Sequence, residues 1–162
     1  MEATWTFPSD EELFKALPCD PSQDLTRRKS LLPKLQECCT RLRFPVHAWA
    51  HAAILCHRLL TTVMAKDTVP EHIAILAAFI AGKAEECPRK IADVIRHWPW
   101  DAAVGDVDGL GAQLLAQEAT AMYRSGFDFT VDSPHRHIHR LGAQLGESQR
   151  EAVLKLSVSL CD

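Results

Sequence analysis

The chain has 162 residues, 47% of them hydrophobic and 24% charged, with a formal net charge of −3 and a pI near 6.2. This length favours one domain burying about 70% of its unfolded surface, and the mildly acidic balance excludes the basic face that nucleic-acid binding needs. The apolar run Ile73–Gly82 is too short for a bilayer, which takes about 20 residues, and no basic segment leading into an apolar one marks a secretion signal at the N-terminus.

Ser9-Asp10-Glu11-Glu12 reads as a helix start, and Pro18 ends that short helix by Leu17. A helix is predicted from about Gln23 to Arg43 with Pro33 inside it. Proline lacks a donor and clashes one turn back, so a kink or two abutting helices is expected there. Pro45 precedes a helix Val46–Met64 whose apolar stripe reads Val46, Trp49, Ala50, Ala53, Ile54, Leu60, Val63 and Met64. Thr68-Val69-Pro70-Glu71 is another start signal, with proline suited to the first helical turn. The helix it opens, Pro70–Glu86, carries Ile73, Leu76, Ala77, Ile80 and Ala84 at helical spacing, with Ile75 and Phe79 on the other side. A helix apolar all round is surrounded by others, so this one is expected to be the hub.

Pro88 opens a short helix to about His97, followed by Trp98-Pro99-Trp100-Asp101 and a Gly/Asp-rich loop through Gly111. A helix Gln113–Ser125 ends at Gly126, a good C-cap residue. Ser133-Pro134 starts a helix to about Leu145, and Ser148 caps a last one, Gln149–Leu160. No stretch alternates long enough to make a strand. The six cysteines include no Cys-x-x-Cys pair and fall mostly in helical apolar patterns, so reduced thiols are expected.

Ile80, Lys83 and Ala84 share one helix face, and Glu118 and Met122 share another, with Phe127 and Phe129 just beyond. Two such helices side by side make an apolar trough with a cation at one place and an anion at another. A partner helix is gripped in this way: apolar anchors give affinity, and charges fix register.

The segment Ile80-Ala81-Gly82-Lys83-Ala84-Glu85-Glu86-Cys87-Pro88-Arg89-Lys90-Ile91-Ala92-Asp93-Val94-Ile95 resembles the heart of a cyclin box, nearest the transcription-type cyclins. Those run Leu-Ala-Gly-Lys-Val-Glu-Glu-x-Pro-x-Lys at this point. His57-Arg58 is similar to their His-Arg-Phe, and Gly126-Phe127-Asp128-Phe129 with Ser133-Pro134-His135 to their Phe-Asp-Leu and His-Pro-His stretch. The likeness covers roughly Leu25 to Leu145. It implies an all-α five-helix box over residues 23–130, preceded by an N-terminal helix or extension (1–22). C-terminal helices (131–162) would follow as a partial second box or an extension. It also implies a regulatory subunit, with no catalytic group, that binds and activates a cyclin-dependent kinase. By this resemblance Ile80, Lys83, Ala84, Glu85, Glu118, Met122, Phe127 and Phe129 receive the kinase αC helix. The kinase expected is a nuclear one that phosphorylates the RNA polymerase II tail.

Three departures bear on that reading. Ala84 stands where Val or Phe is usual, which makes the trough shallower. Arg28 matches a box arginine that pairs with an aspartate in cell-cycle cyclins, whereas His57 fills the partner position here, so that ion pair is expected to be absent or weak. Arg28-Lys29-Ser30-Leu31-Leu32 is not the substrate-docking patch of cell-cycle cyclins. The stripe Val153, Leu154, Leu156, Val158 and Leu160 needs cover from the first box, a third subunit or a second copy. The competing reading is a cyclin-fold adaptor without a kinase, of the transcription factor IIB kind.

Catalytic and metal-binding readings are weaker. His47 and His51 lie one turn apart, and His135, His137 and His139 alternate, but three or four convergent ligands are needed for zinc. Cys56 adjoins His57, yet neighbours on a helix point apart. No phosphate loop or nucleophile–base pair is seen. No cofactor, metal, membrane or direct nucleic-acid partner is expected.

Overall fold

Six helices organise the described part of the chain: α1 (Pro21–Arg41), α2 (Val46–Leu60), α3 (Met64–Asp67), α4 (Pro70–Ala84), α5 (Ile91–His97) and α6 (Val107–Arg124). The computed structural model describes residues 9, 11–12, 15, 17, 19–62, 64–101, 105–131, 137–138, 140, 144, 151, 153 and 155. The chain divides into two units, Met1–Phe129 and Thr130–Asp162. All six helices belong to the first, and no strand occurs among the described residues. The fold is the all-α one expected from the sequence. The helices predicted over residues 9–17, 133–145 and 149–160 lie largely outside the described residues. None of the helices searched among the described residues is long and apolar enough to cross a membrane.

Helix α1 starts earlier than predicted, because Asp20 accepts from the Ser22 N–H at 2.9 Å and Pro21 takes the first helical position. Pro33 neither breaks nor divides it. The Pro33 ring lies on the exposed side, while Leu31 and Leu35 on either side of it are buried.

Helix α2 ends at Leu60, short of the predicted Met64, which instead opens the single turn α3. Its buried face is also rotated from the predicted stripe. Ala48, Ala52, Leu55 and Leu59 are fully buried, whereas Val46 is exposed. Small alanines mark the seam because they let two helix axes approach closely; hydropathy ranks the larger side chains first and so misplaces it. The facing helix α4 brings Ala74, Ala77, Ala78 and Ala81, all without solvent contact. The α2–α4 contact is the most extensive in the fold.

Helix α4 is the hub that its sequence predicts: every residue from Ile73 to Gly82 is buried. Helix α6 begins at Val107, six residues before the predicted start, because Asp106 accepts from the Gly109 N–H at 2.8 Å. Gly109 and Gly111, read as loop, are helical. A Cβ at Gly111 would stand 3.5 and 3.7 Å from Ile91 and Ile95 of α5, ordinary contact distances, so this glycine faces α5 without being required by the packing. Trp98 is buried at the end of α5, and the Trp100 indole N–H donates to the Ile95 carbonyl at 2.8 Å. The tryptophan pair closes that end of the bundle.

Three helices end by the same device. After α1, Arg43 donates to Thr40 O and Phe44 to Cys39 O; after α4, Glu86 donates to Lys83 O and Cys87 to Gly82 O. After α6, Gly126 donates to Tyr123 O and Phe127 to Met122 O. The closing residue in each case has a positive φ: 55° at Arg43, 56° at Glu86 and 67° at Gly126. Glycine adopts this conformation without penalty, which a side chain makes costly. Only the third ending was therefore visible as Gly126.

The loops so formed are pinned. Phe44 lies against α4 so closely that a Cβ on Gly82 would stand 2.8 Å from its ring tip and 3.3 Å from Cys87 O. The Arg89 guanidinium donates to Leu42 O at 3.1 Å and to Cys87 O at 3.2 Å, and it lies 5.3 Å from the Phe44 ring centroid. The end of α1 and the turn after α4 are thus one joined corner.

Gly82→Ala is expected to destabilise the fold by about 1–3 kcal/mol through overpacking against Phe44 and Cys87 O, read as a lowered urea midpoint with unchanged slope. Wild-type stability in this variant would mean that the corner yields freely.

Candidate functional site

The end of α4 meets the middle of α6 through charge. Lys83 Nζ lies 2.6 Å from Glu118 Oε1, and the same ammonium sits 4.1 Å from the centroid of the buried Phe79 ring. Lys83 is 46% exposed and Glu118 19%. The two charges expected at separate places in a trough are therefore in direct contact. An ion pair this open contributes only about 0–1 kcal/mol to stability. Two ammonium protons and one carboxylate oxygen remain beyond the bond they share.

The apolar residues predicted for the site divide by depth. Ile80 is buried and belongs to the core, whereas Ala84 is exposed at the helix end. Met122 and Phe129 are partly buried against the core. Phe127 is 60% exposed and held at φ 54°, a conformation disfavoured for an aromatic residue. Its N–H donates to Met122 O and so helps close the end of α6, Met122 itself lying one turn on from Glu118. Leu115, also on α6, is exposed too.

Glu85, the C-cap of α4, was the site residue whose partner the sequence did not disclose. Its Oε1 lies 2.7 Å from His51 Nδ1, and its Oε2 lies 3.9 Å from His47 Nε2. His51 is 1% exposed. The i, i+4 spacing of His47 and His51 signalled a shared face; that this face meets the α4 tip is a matter of tertiary packing. No group of three metal-ligating side chains was found among the described residues searched.

The two shorter motifs act as cross-links. Arg58 donates to Asp128 O at 3.0 Å, joining α2 to the segment after α6. Arg28 donates to His57 Nδ1 at 2.8 Å and to His57 O at 3.0 Å. As expected, Arg28 has no ion pair at His57. Its counter-charge is instead Asp24, one turn back on α1, at 2.6 Å with both side chains largely buried. Burial and the neighbouring Arg28 charge hold the His57 pKa below the ordinary histidine value, with Asp24 opposing them. Burial also depresses that of His72.

Burial pushes the Cys38 and Cys56 thiols up to about 12 and raises Cys39 as well. Cys38, Cys39 and Cys56 are free and buried, and Cys19 and Cys87 are free and partly exposed. At neutral pH the three buried ones stay protonated, and Cys56 offers no thiolate beside His57.

No family model matches the chain. Among curated proteins it is similar to Cyclin-T1-3 of Oryza sativa subsp. japonica, 29% identical over 150 residues, covering 83% of this chain and 31% of that one. Cyclin-T1-4 of Arabidopsis thaliana is 37% identical over 76 residues, covering 47% and 14%. The RNA polymerase II holoenzyme cyclin-like subunit of Neurospora crassa is 27% identical over 129 residues, covering 73% and 34%. The chain thus spans about a third or less of the length of these relatives. The chain is similar to transcription-type cyclins, and its helical architecture is consistent with a cyclin box.

The lowered His57 and His72 pKa values give stability a defined pH dependence. Unfolded histidine takes up a proton below about pH 6.5, while the folded form resists. Stability is therefore full above that pH and falls as pH drops through the folded values. The urea midpoint is expected to decrease between about pH 7.5 and pH 5.5, and less so in His57→Asn. An identical decrease in the variant would show that His57 protonates freely when folded.

Proposed function

We propose that this chain is a cyclin-type regulatory subunit that binds a cyclin-dependent kinase, of the class acting on RNA polymerase II, through the α4–α6 face. The observation that supports the reading is the Lys83–Glu118 contact, which joins α4 to α6 one turn before the partly buried Met122. The names of the similar proteins support the cyclin class and the transcriptional setting, and a nuclear location goes with that role.

Physically, a bound helix buries Phe127 and meets the remaining donors of Lys83 and the free oxygens of Glu118 and Glu85. Kinase activity requires the αC glutamate to pair with the lysine that holds the ATP phosphates. A subunit that binds the productive αC position preferentially shifts the population toward it and contributes no catalytic group. An open ion pair adds little to folding, so its value lies in fixing the register of the docked helix.

Lys83→Glu should weaken co-purification with transcription-type cyclin-dependent kinase catalytic subunits at least about tenfold, since it sets like charges side by side in the interface. The melting temperature should fall by only a few degrees at most, because the pair contributes about 1 kcal/mol or less. Retention of the kinase at wild-type level would overturn the docking reading. Phe127→Ala should also weaken binding while raising or preserving stability, because alanine loses the exposed apolar surface without emptying any core space; an unchanged affinity would remove Phe127 from the interface.

A further inference from the structure

Glu85 is usually the kind of residue that swings freely: a glutamate at a helix end, beyond the last turn. Here one of its oxygens is held by a histidine from a different helix. His51 lies on α2, is 1% exposed, and places Nδ1 2.7 Å from Glu85 Oε1. The other ring nitrogen, Nε2, is buried with no hydrogen-bond partner among the described residues. This asymmetry fixes the proton. A carboxylate accepts only from a nitrogen bearing hydrogen, so Nδ1 carries it. An N–H on Nε2 would be a buried donor without an acceptor, a costlier defect than a buried lone pair.

The imidazole is enclosed. Ala48 and Ala52, on either side of it on α2, are fully buried, and Glu85 closes α4 by donating its own N–H to Ala81 O. The carboxylate is thus fixed from both ends: by its backbone in the helix closure and by Oε1 on His51. Oε2 is left toward the surface, with only the exposed His47 at 3.9 Å. A carboxylate immobilised in this way accepts a hydrogen bond from an incoming cation or N–H without first losing rotamer freedom.

We infer that His51 is a positioning residue: it orients Glu85 so that Oε2 receives a donor, a guanidinium or ammonium group, from the helix docked on α4. This inference rests on the docking reading above for the identity of the bound helix, but the positioning itself is a property of the free chain. His51 touches no partner in this account and acts through Glu85 alone.

Two measurements test it on the full chain. The first needs no kinase. Nitrogen-15 NMR of the imidazoles should show His51 as the Nδ1–H tautomer, and Glu85→Gln should shift that resonance. Amide exchange at Glu85, Glu86 and Cys87 should rise several-fold in His51→Leu and return toward wild type in His51→Asn, whose amide nitrogen can occupy the Nδ1 position. An Nε2–H tautomer, or exchange unaffected by His51→Leu, would overturn the positioning.

The second measurement uses the kinase catalytic subunit retained by the wild-type chain. His51→Leu should weaken its affinity about tenfold, equivalent to losing one oriented charge-assisted contact. His51→Asn should recover most of that. On a Glu85→Ala background His51→Leu should produce no further loss, which a general loosening of the fold would not reproduce. Full affinity in His51→Leu, or additive losses in the double variant, would overturn the inference while leaving the docking reading intact. If the wild-type chain retains no kinase, the docking reading fails and the role for a bound helix falls with it, while the NMR arm still decides whether His51 holds Glu85.

Discussion

Burial of one helix on every side governs this structure. Ten consecutive residues of α4 lose contact with water, and four of them are alanine and one glycine. A central rod of small side chains can be approached closely from several directions, so α1, α2, α5 and α6 all pack against it. The constraint then propagates outward. The α2 face is small where it carries Ala48 and Ala52, and Gly82 must leave space for Phe44. The charged end of α4 emerges from this packed interior at a fixed place, which is why Lys83, Glu85 and Glu118 form a defined surface rather than a scatter of solvated charges.

The residues of the central motif divide their labour accordingly. Gly82, Cys87 and Arg89 build the corner that joins the end of α1 to the turn after α4. Lys83 and Glu85 face outward from that corner and each finds a partner on another helix, Glu118 on α6 and His51 on α2. His57 and Arg58, neighbours in sequence, point in different directions and tie α2 to α1 and to the segment after α6. Of the motif blocks, His57-Arg58 and Gly126-Phe127-Asp128-Phe129 are the two ends of one cross-link, the bond from Arg58 to Asp128 O.

Much of this could be read from the sequence, and the misses have identifiable causes. The all-α class and the central place of α4 followed from an apolar run with no polar face. Which residues share a face with Lys83 and which with Glu118 followed from spacing, although spacing could not show that the two faces would meet. Pro33 was over-weighted, because a proline ring on the exposed side is tolerated within a helix of this length. The α2 stripe was misplaced because alanine scores weakly as an apolar residue yet marks the closest approach between helices. The start of α6 was hidden by Gly109 and Gly111, of which Gly109 sits directly against the capping Asp106 carboxylate. The endings at Arg43 and Glu86 carried no glycine to announce them. His51 was legible as a helix-face histidine, but its role depends on where α4 stops, which only the tertiary arrangement supplies.

The interior thiols have a consequence of their own. Cys38 and Cys39 sit on α1 and Cys56 on α2, each sealed from solvent and protonated. An alkylating reagent reaches them only when those helices separate from the hub. The molecule therefore contains a dormant chemical clock in its packed interior, in which the rate of covalent tagging at three native positions on two helices records how often the bundle breathes, with no residue substituted.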